Sequence, residues 1–250
     1  MLNQYLCYAR KPALIILCFS LFLVSCGDVE EDSLIFESES MTMIEGVAAK
    51  GVIANGLVKL YVVYRENGVG MATTLPISKT VRTDENGRYE AEIPSFFNQL
   101  SILVELAADD KTTMVCDYPG GCRSFGSSEL TPFAQTIELN DSFSMTALIP
   151  RLRAGHLNTA HITPLTHLAS SRAAGLTLGL VPENIVSSYE HIENVMELPT
   201  GALQEAPYDL TDLTYQDGIN KSGLKSAIVS AAFMGFANSP AWQGISQVLS

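Results

Sequence analysis

The stretch Gly56-Leu57-Val58-Lys59-Leu60-Tyr61-Val62-Val63-Tyr64 places Leu57, Lys59, Tyr61 and Val63 on one side of an extended chain and Val58, Leu60, Val62 and Tyr64 on the other. Side chains alternate across a strand with period two, so a run that is apolar on both sides reads as a central strand covered on both faces. Outward from it, short apolar runs at 43–48, 71–81, 88–93 and 100–107 are set off by Ala54-Asn55-Gly56, Glu66-Asn67-Gly68 and Glu85-Asn86-Gly87. That is the turn chemistry a hairpin-rich sheet needs. In 88–93, Tyr89, Ala91 and Ile93 alternate with Arg88, Glu90 and Glu92, the pattern of a strand with one wet face. Two further runs, 134–139 and 143–149, are joined by Asn140-Asp141-Ser142 and bring the total to about seven, which predicts an antiparallel β-sandwich over 41–150.

Past Arg151 the period changes. Thr163-Pro164 supplies an N-cap followed by proline at the first helical position, and Leu165, Leu168, Ala169 and Arg172 follow at helical spacing. Pro182-Glu183-Asn184 opens a second helix with Ile185, Ile192, Val195 and Met196 as its stripe. A third covers 223–237, and Pro240 starts a short last one. The expected class is therefore α+β, a sandwich over 41–150 followed by a helical region over 151–250.

Gly46-Val47-Ala48, Gly56-Leu57-Val58-Lys59-Leu60-Tyr61 and Thr83-Asp84-Glu85-Asn86-Gly87-Arg88-Tyr89 followed by Ile93-Pro94 together resemble the carboxypeptidase regulatory-like domain over about 41–108. That resemblance implies a small transthyretin-like, Ig-like antiparallel sandwich serving as a non-catalytic accessory module. It also implies that Gly87 takes a positive-φ turn position and that Tyr89 returns into the core. Cys116-Asp117-Tyr118-Pro119-Gly120-Gly121-Cys122 and the phrase from Asn158 to Ala169 are similar to large bacterial surface lipoproteins. Those chains usually continue further, so the region 151–250 reads as part of a shortened relative.

At the other end, Leu23-Val24-Ser25-Cys26 resembles the lipobox of a bacterial lipoprotein signal peptide. Arg10 and Lys11 form the positive flank and the twelve residues from Ala13 to Val24 the apolar stretch, giving an export signal over 1–25. The run is shorter than the roughly 20 apolar residues that a transmembrane helix needs. The resemblance implies that Cys26 carries a thioether-linked diacylglyceryl group and an acylated amino terminus, palmitate being the typical chain, so that the protein meets the membrane through lipid. Gly27, not Asp, follows Cys26, which by the family's sorting habit favours the outer over the inner membrane of the cell envelope. Residues 26–40, acidic and serine-bearing, read as a tether.

Without Arg10 and Lys11, 13 basic residues remain against 27 acidic ones, a formal charge of about −14. Nucleic acid is excluded as a partner, since phosphate binding needs clustered Lys and Arg. Once Cys7 and Cys18 leave with the signal and Cys26 is lipidated, only Cys116 and Cys122 remain to pair. An even remainder in an oxidising compartment favours a disulfide, with metal ligation or free thiols the weaker alternatives.

Catalytic patterns are sparse. Ser222-Gly223-Leu224-Lys225 fits Ser-x-x-Lys but has no Ser-Asp-Asn or Lys-Thr-Gly companion. His156, His161, His167 and His191 are scattered and read as capping or surface residues, and the acids Asp109, Asp110 and Asp117 as solvated, with a held cation the weaker alternative. No catalytic residue, metal site or cofactor is implied. Phe96-Phe97 after Pro94 is the candidate binding feature, a pair of rings in a loop. The sequence thus points to a non-enzymatic binding or assembly module with an envelope protein or glycan as partner. The alternatives are an accessory domain of a hydrolytic enzyme whose catalytic part is absent, and a structural envelope spacer.

Overall fold

A computed structural model describes residues 40–212, 214, 220–242 and 244–249. The signal over 1–25, Cys26 and the tether as far as residue 39 lie outside the described residues.

In chain order the strands are β1 (Met41–Val47), β2 (Ile53–Ala54), β3 (Leu57–Glu66), β4 (Val69–Ala72), β5 (Val81–Arg82), β6 (Arg88–Pro94), β7 (Ser101–Ala107), β8 (Thr113–Val115), β9 (Cys122–Arg123), β10 (Leu130–Thr131), β11 (Thr136–Glu138), β12 (Ser144–Ile149) and β13 (Asn158–Thr159). They are followed by helices α1 (Pro164–Gly175), α2 (Pro182–Val195), α3 (Lys221–Ala237) and α4 (Ile245–Leu249). Strands and helices are mixed, the sheets are largely antiparallel, and one sheet is curled like a half-barrel.

The largest sheet runs β12-β7-β3-β4, with β5 also paired to β3, so the strand read as central is central. Its two faces differ. Val58, Leu60 and Val62 are fully or nearly buried, whereas Lys59 and Tyr61 on the other face are only half-buried, and the Tyr61 hydroxyl donates to Glu105 at 2.7 Å. Val63, further along that face, is covered by Ala173 of α1 and Ile185 of α2. The helices therefore shield one end of the sheet and leave the other wet.

The run expected as one strand at 71–81 splits. Thr73 and Ile77 still donate to the Val62 and Leu60 carbonyls of β3, but Pro76 between them has no N–H to give, and the ladder lapses until β5. A second sheet orders β13-β1-β6: β1 pairs antiparallel with β6 over its whole length and parallel with β13. The turn at Asp84–Gly87 thus joins strands of different sheets instead of closing a ladder hairpin. Gly87 takes φ +73°, and the Asp84 carboxylate accepts from the Asn86 and Arg88 amides at 2.9 and 2.8 Å. Tyr89, two residues on, is buried.

The region expected to be helical from residue 151 begins in extended form, with β13 in the sheet. Leu152, Ala160, Ile162, Met234, Ala237, Ile245 and Leu249 join the same hydrophobic cluster as Ile44, Leu60, Ile93 and Val104, so the sheets and the C-terminal segments share a core. Helix α1 opens as the sequence implies: the Thr163 hydroxyl accepts from the Thr166 amide at 3.2 Å, the Thr166 hydroxyl accepts from the Thr163 amide at 2.8 Å, and Pro164 stands at the first helical position.

Candidate functional site

A cleft of about 790 Å³ opens between the outer face of the β13-β1-β6 sheet and the segment 204–212 that leads to α3. Ile44 points inward in β1, so Glu45 points out, and the register sets it opposite Glu90 of β6 and beside Thr159 of β13. Thr159, Glu45 and Glu90 therefore form one row across three strands. Like charges directly opposite each other in a ladder cost about 0.2–1 kcal/mol, and neither carboxylate enters an ion pair among the described residues. One rung on, Gly46 lets the chain after β13 come close, because a Cβ there would lie 2.0 Å from the Ala160 carbonyl oxygen. The Tyr89 hydroxyl donates to that same carbonyl, and burial pushes its pKa far up.

The opposite wall is anchored from two helices. Glu193 of α2, itself buried, accepts from the Gly201 and Leu203 amides at 2.9 and 3.0 Å and so fixes the 3-10 turn Ala202–Gln204 that launches it. Asn220 caps α3 by accepting from the Ser222 and Gly223 amides, and its amide donates to Glu205 at 2.7 Å. Glu205, Tyr208 and Asp209 line the cleft from this side. Helix α3 adds Ala227 and Ser230; Ser230 is 4 % exposed, and its hydroxyl has no protein partner. The lining is acidic, with Glu45, Glu90, Glu205 and Asp209 set against Arg88.

His161 also lines the cleft but is buried, with Nδ1 accepting from the Val47 amide at 3.2 Å and the ring bonded to the Gln204 backbone. Burial pulls its pKa down to about 4 against the opposing pull of Glu205 and Gln204. His167 is half-buried, its Nδ1 accepting from the Thr146 amide at 3.1 Å and its Nε2 2.7 Å from the Leu249 carbonyl. His161 corrects the expectation of a capping or surface histidine, whereas His167 meets the carbonyl at the end of α4. Asp117 is not solvated: it pairs with Lys50 at 2.6 Å, the two side chains being 4 % and 0 % exposed. Burial lowers the Lys50 pKa, and Asp117 opposes that shift.

The Cys116 and Cys122 sulfurs lie at disulfide-bond distance and close the loop around Pro119. Phe96 is 68 % exposed, but Phe97, 4.2 Å from it between ring centroids, packs against the core, so the aromatic pair offers one free ring. Ser222 and Lys225 lie one turn apart on α3, and the Lys225 ammonium donates to the Glu197 carbonyl. Among the described residues, no three His, Cys, Asp or Glu side chains gather as a metal site. Sequence reasoning missed the cleft because its walls come from residues 45, 90, 159, 205 and 230. The one local signal was the outward alternation of acids in β6. The chain matches no protein-family profile and no curated protein.

Proposed function

We propose that this chain is a lipid-anchored lipoprotein of the bacterial cell envelope, attached through Cys26 and sorted to the outer membrane, whose body is a non-enzymatic binding module that binds in the acidic cleft. The lipobox-like Leu23-Val24-Ser25-Cys26 supports the anchor. Two sheets facing a common core, with the Thr83–Tyr89 turn between them, support reading the strand-rich part as a transthyretin-like sandwich of the accessory kind.

The cleft carries the binding reading. It has the size of a small-molecule site, its walls are polar and firmly seated, and the titratable ring within it has both nitrogens spent on backbone groups. A cleft of this size whose histidine is held by the backbone at both ring nitrogens supports a ligand-holding role.

The test places a photo-crosslinking residue at Tyr208 and, separately, at Phe96 in the full chain in cells, with acyl labelling followed in parallel. Ligand adducts at 208, with label lost on Cys26→Ser, are expected. Adducts at 96 alone, label retained without Cys26, or turnover of a peptide or glycan would overturn the reading.

A further inference from the structure

Resting on the reading of this cleft as a binding site, we infer that it takes an organic cation, a protonated amine or guanidinium group, held by the Glu45–Glu90 cross-strand pair with Glu205 facing it and Ser230 as a buried polar contact.

The ladder register itself juxtaposes the two carboxylates, so their separation is set by backbone pairing and not by a mobile loop. Glu205 is steadied from the other wall by Asn220. Neither carboxylate forms an ion pair among the described residues, and Arg88 is one cation on a lining that carries Glu45, Glu90, Glu205 and Asp209, so the cleft keeps a negative potential that draws a cationic ligand.

A second observation is independent of charge. Buried hydroxyls in native structures are almost always hydrogen-bonded, and Ser230, lining the same cleft, is not. A ligand N–H supplies what that oxygen lacks. Tyr208 adds a ring whose face attracts cations.

A divalent metal ion fits less well. It requires several oxygens converging at bonding distance, and these carboxylates do not converge. A diffuse organic cation is satisfied by carboxylates spread along its length. A free polyamine and the Lys or Arg side chain of a peptide present the same chemistry.

The experiment is calorimetric titration of the full lipoprotein in detergent with spermidine, with the peptide acetyl-Lys-Lys-Lys-amide, with fully acetylated spermidine and with magnesium chloride. Spermidine or the peptide binds and the acetylated compound does not; which of the two binds identifies the source. Glu45→Gln and Glu90→Gln each weaken binding about tenfold, the loss of one charge-assisted contact. Both variants melt at or above the wild-type temperature, since each relieves the repulsion, so lost affinity is not lost fold. Glu92→Gln, on the same strand but outside the cleft, leaves affinity unchanged, and raised salt weakens binding.

Magnesium binding without amine binding, or amine affinity indifferent to Glu45 and Glu90, overturns the inference. If cations fail while crosslinks at Tyr208 persist, the ligand class falls and the binding cleft stands. If both fail, both fall.

Discussion

Lys50 places an ammonium group where water does not reach, and Asp117, 67 positions away in sequence, makes that tolerable. Removing one member of a buried pair strands the other, at a cost of about 3–5 kcal/mol, whereas replacing both with apolar residues of similar size is often near neutral. Urea unfolding should therefore show Lys50→Met and Asp117→Leu each strongly destabilising and the double variant much less so; additive losses would contradict the pairing. His161 makes a pH prediction. Its native pKa of about 4 lies below the ordinary 6.5, so as pH falls below about 6.5 the unfolded chain takes up a proton that the native chain refuses. Stability then declines with acid between pH 6.5 and 4, by about 1.4 kcal/mol for each pH unit between the two values. Melting curves across that window should fall more steeply for wild type than for His161→Gln, with the remaining slope shared by His167, which burial shifts the same way. Neither residue advertised this in sequence. A lysine before a glycine and a histidine among threonines look like surface residues, because burial is decided by partners far along the chain.

Local devices, by contrast, were legible. Thr163-Pro164 announces α1 because capping is settled within three residues, and Asp84-x-x-Gly87 announces its turn because the Asp84 carboxylate closes on amides only two and four residues ahead. What the alternation of β6 could not tell was its partner: the turn delivers it to β1 while β5 stays with β3. β13 was invisible for the same reason, since two residues carry no periodicity. Its place depends on Gly46. With a Cβ 2.0 Å from the Ala160 carbonyl oxygen, Gly46→Ala has no flexible side chain to push aside and must move backbone. The expected cost is about 1–3 kcal/mol or more, with the chain after β13 lifted from β1 and the Tyr89–Ala160 hydrogen bond lost. Hydrogen exchange checks it. Loss of protection at the Ala160 and Ile162 amides, which donate to the Glu45 and Val47 carbonyls, is the expected signature, and protection unchanged from wild type would show that the approach is not tight.

For the molecule as a whole, the sequence pattern suggests two stretches in tandem, strands to residue 150 and helices beyond it; the four helices do follow the strands in chain order, with β13 lying past the expected boundary. Packing joins them. The sheets alone lack the Leu152, Ile162, Met234 and Leu249 side chains that complete their cluster, and the cleft lacks both its Ser230 and its second wall. An apolar cluster with one side missing faces water at a cost of about 25 cal/mol for each Å² left uncovered. β1 would also lose β13, leaving one edge unpaired, a template for aggregation. A fragment spanning 41–150 should accordingly fail to give a cooperative thermal transition and should associate on concentration, while 26–250 unfolds in a single step, the transitions by far- and near-ultraviolet circular dichroism coinciding. A sharp, monomeric melt of the shorter fragment would mean that the strands carry a core of their own. The C-terminal helices would then be an addition to the sheets, and Glu205 and Ser230 would reach the cleft as parts of a second body.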